Sequence, residues 1–61
     1  MIAKGPLYKE EIIQLFPGMT EHDFRKWLNI PMHKQALAEL GVKPTSHKLN
    51  LKAVQYVFDH Y

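Results

Sequence analysis

The 61-residue chain contains no cysteine, and this absence limits its fold more strongly than any motif it carries. Neither disulfide bonds nor a thiolate zinc site can stabilise so small a domain, so packing or association must do so. A chain of this length forms one core, which buries about 60% of the surface that the unfolded chain exposes. We therefore expect one domain over residues 1–61, with residues 1–6 as a lead-in.

The composition favours a folded protein in a reducing compartment. Hydrophobic residues make up 46% of the chain and charged residues 23%, which is typical of a globular domain rather than a disordered segment. The N-terminus lacks the apolar run of a secretion signal, and no stretch approaches the ~20 apolar residues of a membrane span. We expect a cytoplasmic protein that has no membrane partner.

The first half of the chain predicts two short helices separated by a tight turn. Pro17-Gly18 ends the first helix, and Thr20 is suited to cap a second helix over residues 20–29, with Asp23 completing a variant capping box. The residues expected on the buried face of the first helix are Tyr8, Ile12, Leu15 and Phe16. Those expected on the buried face of the second are Phe24, Trp27 and Leu28.

The second half predicts two further helices around a polar segment. Pro31 suits the first turn of a helix that ends at Gly41, and Asn50 is typical of the cap of a last helix. The expected apolar faces are Ala36, Leu37 and Leu40 in one helix and Leu51, Val54, Val57 and Phe58 in the other. Residues 42–49 are compatible with a plain loop or a very short hairpin. The predicted fold class is all-α, three to four short helices with a helix-turn-helix, and a minimal wing at 42–49 if the hairpin forms.

The short connection at Pro17-Gly18 favours a helix-turn-helix, because two helices so joined must cross steeply. In DNA-binding proteins of this type, an apolar pair anchors the second helix, which presents its outward residues to the major groove. An Arg can donate two hydrogen bonds to guanine there, and a Lys can bind a phosphate. The candidate DNA contacts from this helix are Thr20, Glu21, His22, Arg25, Lys26 and Asn29.

A second basic stretch lies in the polar segment, where Lys43, His47 and Lys48 are candidates to contact the DNA backbone. The net charge of +2 is compatible with a nucleic-acid partner but does not require one. The competing interpretation of these charges is an ordinary solvated surface. Glu21 and Asp23 also offset two cations within the second helix.

Several short motifs lie along the chain, each of them present once. They are Tyr8 with Glu10 and Glu11, Phe16-Pro17, Arg25 with Trp27, residues 37–41, Leu49-Asn50 and residues 54–58. In these motifs residues 8–58 resemble a family of short uncharacterised domains common in gut Bacteroidetes and their mobile elements. The chain departs from that pattern at Ile12-Ile13, where the family has Leu-Ala, and at Asn50, where it has Thr. The family has no established activity, so the resemblance implies a fold rather than a function.

More loosely, residues 8–28 resemble the helix-turn-helix of phage excisionases and MerR-type regulators, in which a short wing follows. The segment 42–49 would have to supply that wing.

The sequence offers no catalytic or metal-binding constellation. Its histidines are His22, His33, His47 and His60, and none has a second ligand at metal-binding spacing. No Gly-rich phosphate loop or Ser/His/Asp set can be assembled. We expect no enzyme activity, no metal and no cofactor.

The favoured hypothesis is a small DNA-binding protein, regulatory or excisionase-like, that acts in regulation or in excision of a mobile element or phage. It would bind double-stranded DNA through residues 20–29, as a homodimer or cooperatively, since one small module buries limited surface. The alternative is a protein-interaction module, either an adaptor or a phage-encoded inhibitor, that binds no nucleic acid. A third hypothesis is a structural piece of a larger assembly. DNA binding should weaken steeply with salt, whereas an adaptor should show no such dependence.

Overall fold

The computed structural model describes residues 1–43 and 45–61, and in these ranges it contains four α-helices and one two-stranded β-sheet. In chain order the elements are β1 (Leu7–Tyr8), α1 (Lys9–Leu15), α2 (Glu21–Leu28), α3 (Pro31–Glu39), β2 (Lys48–Leu49) and α4 (Leu51–His60). The mostly helical fold confirms the main part of the predicted class. The all-α prediction is wrong in one respect, because the chain also forms the sheet.

The sheet joins the two residues that follow the lead-in to the end of the polar segment. β1 and β2 are antiparallel, with Leu7 opposite Leu49 and Tyr8 opposite Lys48. The backbone N–H of Lys9 donates to the carbonyl of His47 at 2.9 Å, which extends the pairing by one bond. The end of the segment 42–49 therefore pairs with β1, so its described residues form neither a plain loop nor a hairpin of their own, the two alternatives that the sequence left open. Pro44, which belongs to that segment, lies outside the described residues.

A tight turn separates α1 from α2, as predicted. The N–H of Met19 donates to the carbonyl of Phe16 at 3.1 Å, and Gly18 has a φ of 83°. Pro followed by a positive-φ Gly is typical of a type II turn. Thr20 then caps α2 by accepting a hydrogen bond from the N–H of Asp23 at 3.1 Å. The predicted cap is thus confirmed, and the helix lies between Thr20 and Asn29.

Gly41 ends α3 through a Schellman motif. It has a φ of 88°, and its N–H donates to the carbonyl of Ala38, while the N–H of Val42 donates to the carbonyl of Leu37. Val42 and Leu37 are both buried, which supplies the hydrophobic contact that accompanies this motif. The prediction that Gly41 follows the end of the helix is confirmed.

Asn50 caps α4 and also joins it to the end of α3. Its side-chain oxygen accepts a hydrogen bond from the N–H of Ala53 at 2.9 Å. Its side-chain nitrogen donates to the carbonyl of Leu40 at 2.7 Å, and Leu40 is the C-cap residue of α3. One side chain therefore satisfies backbone groups at two helix ends.

The buried core draws on every helix and on β2. It consists of Ile12, Met19, Phe24, Leu37, Val42, Leu49, Ala53, Val54 and Val57. Two expected members of the first helix face are outside it, since Tyr8 is 50% exposed and Leu15 is 47% exposed. Tyr8 lies in β1, where side chains alternate, so Leu7 points to the core and Tyr8 to solvent. Leu51, in the first turn of α4, is also exposed.

Replacement of Asn50 should destabilise the fold more than loss of an ordinary helix cap. Asn50→Ala removes the cap and the bond to Leu40, and we expect a loss of about 2 kcal/mol in the free energy of unfolding. Asn50→Ser keeps a capping oxygen but is too short to reach Leu40, so it should lose about half as much. Urea denaturation measures both, with Thr20→Ala as the matched cap variant. A cost for Asn50→Ala equal to that of Thr20→Ala would show that the Leu40 bond contributes nothing.

Candidate nucleic-acid interface

The side chains predicted to contact DNA are all exposed. On α2, Phe24 is 1% exposed and fixes the side that packs against the core. The exposed candidates are Thr20, Glu21, His22, Arg25, Lys26 and Asn29 in or beside α2, and Lys43, His47 and Lys48 in the segment before α4. Successive side chains on a helix are about 100° apart, so the α2 residues spread over a broad arc. Exposure leaves them accessible, but the structure divides them among different surfaces.

One open groove, of about 810 Å³, brings several of these candidates together. It lies between the start of α1, one flank of α2 and the segment before β2. Its floor is apolar and includes Ile13, Phe24 and Leu28. The predicted contact residues that line it are Glu21, Arg25, Asn29 and His47. Three of the α2 contacts and His47 of the segment, which the sequence suggested separately, thus meet at one surface.

Arg25 lies at the rim of this groove and forms an ion pair with Glu21. Its Nη2 atom is 2.9 Å from Oε1 of Glu21, and both side chains are mostly exposed. An exposed pair of this kind contributes little stability, roughly 0.3–0.5 kcal/mol on a helix. Arg25 can therefore exchange the carboxylate for another acceptor at low cost. Asn29 donates from its amide to the carbonyl of Arg25 at 2.9 Å, which helps to end α2.

Lys9 is a groove residue that the sequence reasoning missed. It is the first residue of α1 and is partly buried. Burial lowers the pKa of Lys9 below its ordinary value, and the nearby positive charge of Arg25 lowers it further. The groove thus holds two neighbouring cations, together with the acidic side chains of Glu10 and Glu21. No local pattern marks Lys9, because its position depends on the pairing of residues 9 and 47.

The remaining candidates lie elsewhere. Lys26 lines a different surface with Asp23 and Trp27. Lys43 borders a small cleft that Lys9 and Lys34 also line. Lys48 places its Nζ atom 5.1 Å from the centre of the Tyr8 ring, within range of a cation–π interaction. His22 and Thr20 line none of these three surfaces.

Trp27 packs in an aromatic cluster rather than in the groove. Its ring stacks on His33, with ring centres 3.9 Å apart and planes 19° apart. His33 is buried, and its Nδ1 atom shares a hydrogen bond of 2.8 Å with the hydroxyl of Tyr56. The sequence pattern had no signal for this buried polar pair, because its members lie 23 residues apart. Within residues 1–43 and 45–61, no three His, Asp or Glu side chains are arranged to hold a metal ion.

Comparisons with protein-family models, curated proteins and solved structures found no match to this chain. Among the described residues, no helix combines the length and the apolar character needed to cross a membrane.

The coupling between Lys9 and Arg25 predicts a measurable change in titration. Arg25→Gln removes a neighbouring positive charge, so the pKa of Lys9 should rise toward its ordinary value of 10.5 while burial keeps it below that value. NMR titration of the Lys9 side chain measures this change. Lys26→Gln removes an equal charge from another surface and should leave the pKa of Lys9 unaltered.

The lowered pKa of Lys9 also determines the direction in which stability changes with pH. The folded-state pKa of Lys9 lies below 10.5, so between the two values the unfolded chain binds more protons. The contribution of Lys9 to the free energy of unfolding should therefore rise with pH across that window, and less steeply in Arg25→Gln. An identical slope for both proteins would contradict the coupling.

Proposed function

We propose that the protein binds double-stranded DNA, with α2 in the major groove and the segment before β2 against the phosphate backbone. The observation that carries this proposal is the shared groove: Arg25 and Asn29 of α2 line it together with Thr45 and His47 of the segment. DNA-binding domains of this kind combine a reading helix with backbone contacts that set its orientation. One continuous surface supplies both here.

The charges around the groove support the same proposal. Lys9 and Arg25 are close enough for the charge of one to disfavour the charge of the other. A phosphate placed between them would relieve that repulsion, because an anion favours the charged form of each group. Lys43 and Lys48 are exposed on the same segment as His47 and add two positive charges to it. Binding of this kind releases counterions and weakens with salt.

The role that we propose is regulation of transcription or excision of a mobile element or phage, in the cytoplasm. The loose resemblance of residues 8–28 to the helix-turn-helix of excisionases and MerR-type regulators favours these roles over other uses of DNA binding. A domain this small contacts few base pairs, so we propose that it acts as a homodimer or cooperatively along DNA.

A salt-dependent titration tests the proposal. The wild-type protein should bind a labelled random-sequence duplex more weakly at about 200 mM salt than at about 50 mM, because each phosphate contact releases counterions. Arg25→Ala combined with Lys43→Ala should weaken binding about tenfold or more and reduce the slope of log affinity against log salt by about two.

The matched control is Lys4→Ala combined with Lys52→Ala. It removes the same net charge from exposed positions that belong neither to α2 nor to the segment before β2. It should reduce affinity much less than the combined Arg25 and Lys43 variant does. Equal losses for the two variants, or no salt dependence in the wild type, would rule out α2 and this segment as the DNA-binding surface.

A protein-interaction module is the second candidate, and one observation favours it. The groove has an apolar floor, and its rim includes Glu10 and Glu21, which repel phosphate. A peptide helix with apolar residues between charges of both signs would fit such a surface. A wild-type protein without salt-dependent DNA binding would favour this candidate.

A further inference from the structure

The flank of α2 away from the groove carries two opposite charges beside exposed apolar residues. It forms an open recess of about 430 Å³, and we refer to its lining residues as the α2 flank: Asp23, Lys26, Trp27, Ile30 and Tyr61. At about 100° per residue, Asp23 and Arg25 point about 160° apart around the helix axis. The α2 flank and the groove therefore lie on opposite sides of the same helix.

The apolar side chains of the α2 flank are incompletely covered. Ile30 is 43% exposed and Tyr61 is 44% exposed. Trp27 remains partly exposed even though one face of its ring stacks on His33. Met32, two residues beyond Ile30, is 65% exposed. Contiguous exposed apolar groups with a polar rim are typical of an interaction surface.

The two charges of the α2 flank have no counter-charge within the part of the chain that the structure describes. Residues 1–43 and 45–61 supply no ion-pair partner for the carboxylate of Asp23 or the ammonium group of Lys26. The two residues are three positions apart, so they lie one turn apart on one side of the helix. The α2 flank thus carries one charge of each sign beside its exposed apolar residues.

We propose that the α2 flank is the interface of a homodimer, in which two α2 helices pack antiparallel across a two-fold axis. A two-fold interface uses the same patch on both copies, so the patch must be complementary to itself. An antiparallel arrangement about an axis between residues 24 and 25 sets each Asp23 against the Lys26 of the other copy. The Trp27 side chains of the two copies then flank these charge pairs, and each Ile30 lies against the start of the other α2. Dimerisation leaves both grooves open on the outer sides.

The surface area of the protein accommodates such an interface. A stable interface buries at least about 1,000 Å² in total, which is about 500 Å² from each copy. One copy exposes 4385 Å², so dimerisation would cover about a ninth of it.

Charge exchange across the two-fold axis tests the proposal without DNA. Analytical ultracentrifugation up to about 1 mM protein should detect a wild-type dimer. Asp23→Lys and Lys26→Asp each place like charges face to face, and each should weaken dimerisation at least about tenfold. An equimolar mixture of the two variants restores both opposite-charge pairs and should recover the dimer, as should the double exchange in one chain.

Two further variants separate a loss of dimer from a loss of fold. Ile30→Asp places a charge among the apolar residues of the α2 flank, and Asp is also a favourable residue at the start of α3, where Ile30 is the cap. It should remain folded by circular dichroism and become monomeric. Lys52→Asp matches the charge change of Lys26→Asp at an exposed position on α4 and should dimerise like the wild type.

Three results would overturn the proposal: a wild-type monomer at all concentrations, single variants that dimerise as tightly as the wild type, or a mixture that does not recover the dimer. These measurements contain no nucleic acid, so they are independent of the DNA-binding titration. Failure of either proposal leaves the other to be judged on its own result.

Discussion

The antiparallel pairing of β1 with β2 is the interaction on which the candidate site depends. It consists of two residue pairs, extended by the bond from Lys9 to His47. Such a short ladder is not stable alone, but Leu49 is fully buried and anchors it in the core. The pairing brings the segment before β2 against the start of α1, and thus beside α2. Without this pairing, no contact would hold His47 in the same groove as Arg25.

The helix ends could be predicted from the sequence because their causes are local. Thr20, Gly41 and Asn50 each act on backbone groups within a few residues, so their roles follow from residue type and position. The sheet could not be predicted in this way. Its strands have two residues each and lie about 40 residues apart, which leaves no periodic pattern and no turn signal between them. The exposure of Leu15 also depends on packing that the helical pattern alone does not specify.

The candidate site shows the same division between local and distant causes. The outward positions of Arg25 and Lys26 follow from helix geometry once Phe24 is placed inside. Their separation onto two surfaces depends on which neighbours flank α2, and those neighbours come from distant parts of the chain. Lys9 is the clearest case, since its burial and its proximity to Arg25 arise only in the folded domain.

The β1–β2 pairing has a consequence for the order of folding during synthesis. The ribosome completes β1 and three helices before it adds Leu49 and the buried residues of α4. At about 5–20 residues per second, the earlier part waits for about a second or more without the partners that cover its apolar faces. Helices this short are marginal in water unless they are packed. The part made first therefore remains largely unstructured until residues 41–61 have been added, and during that interval chaperones and proteases have access to it.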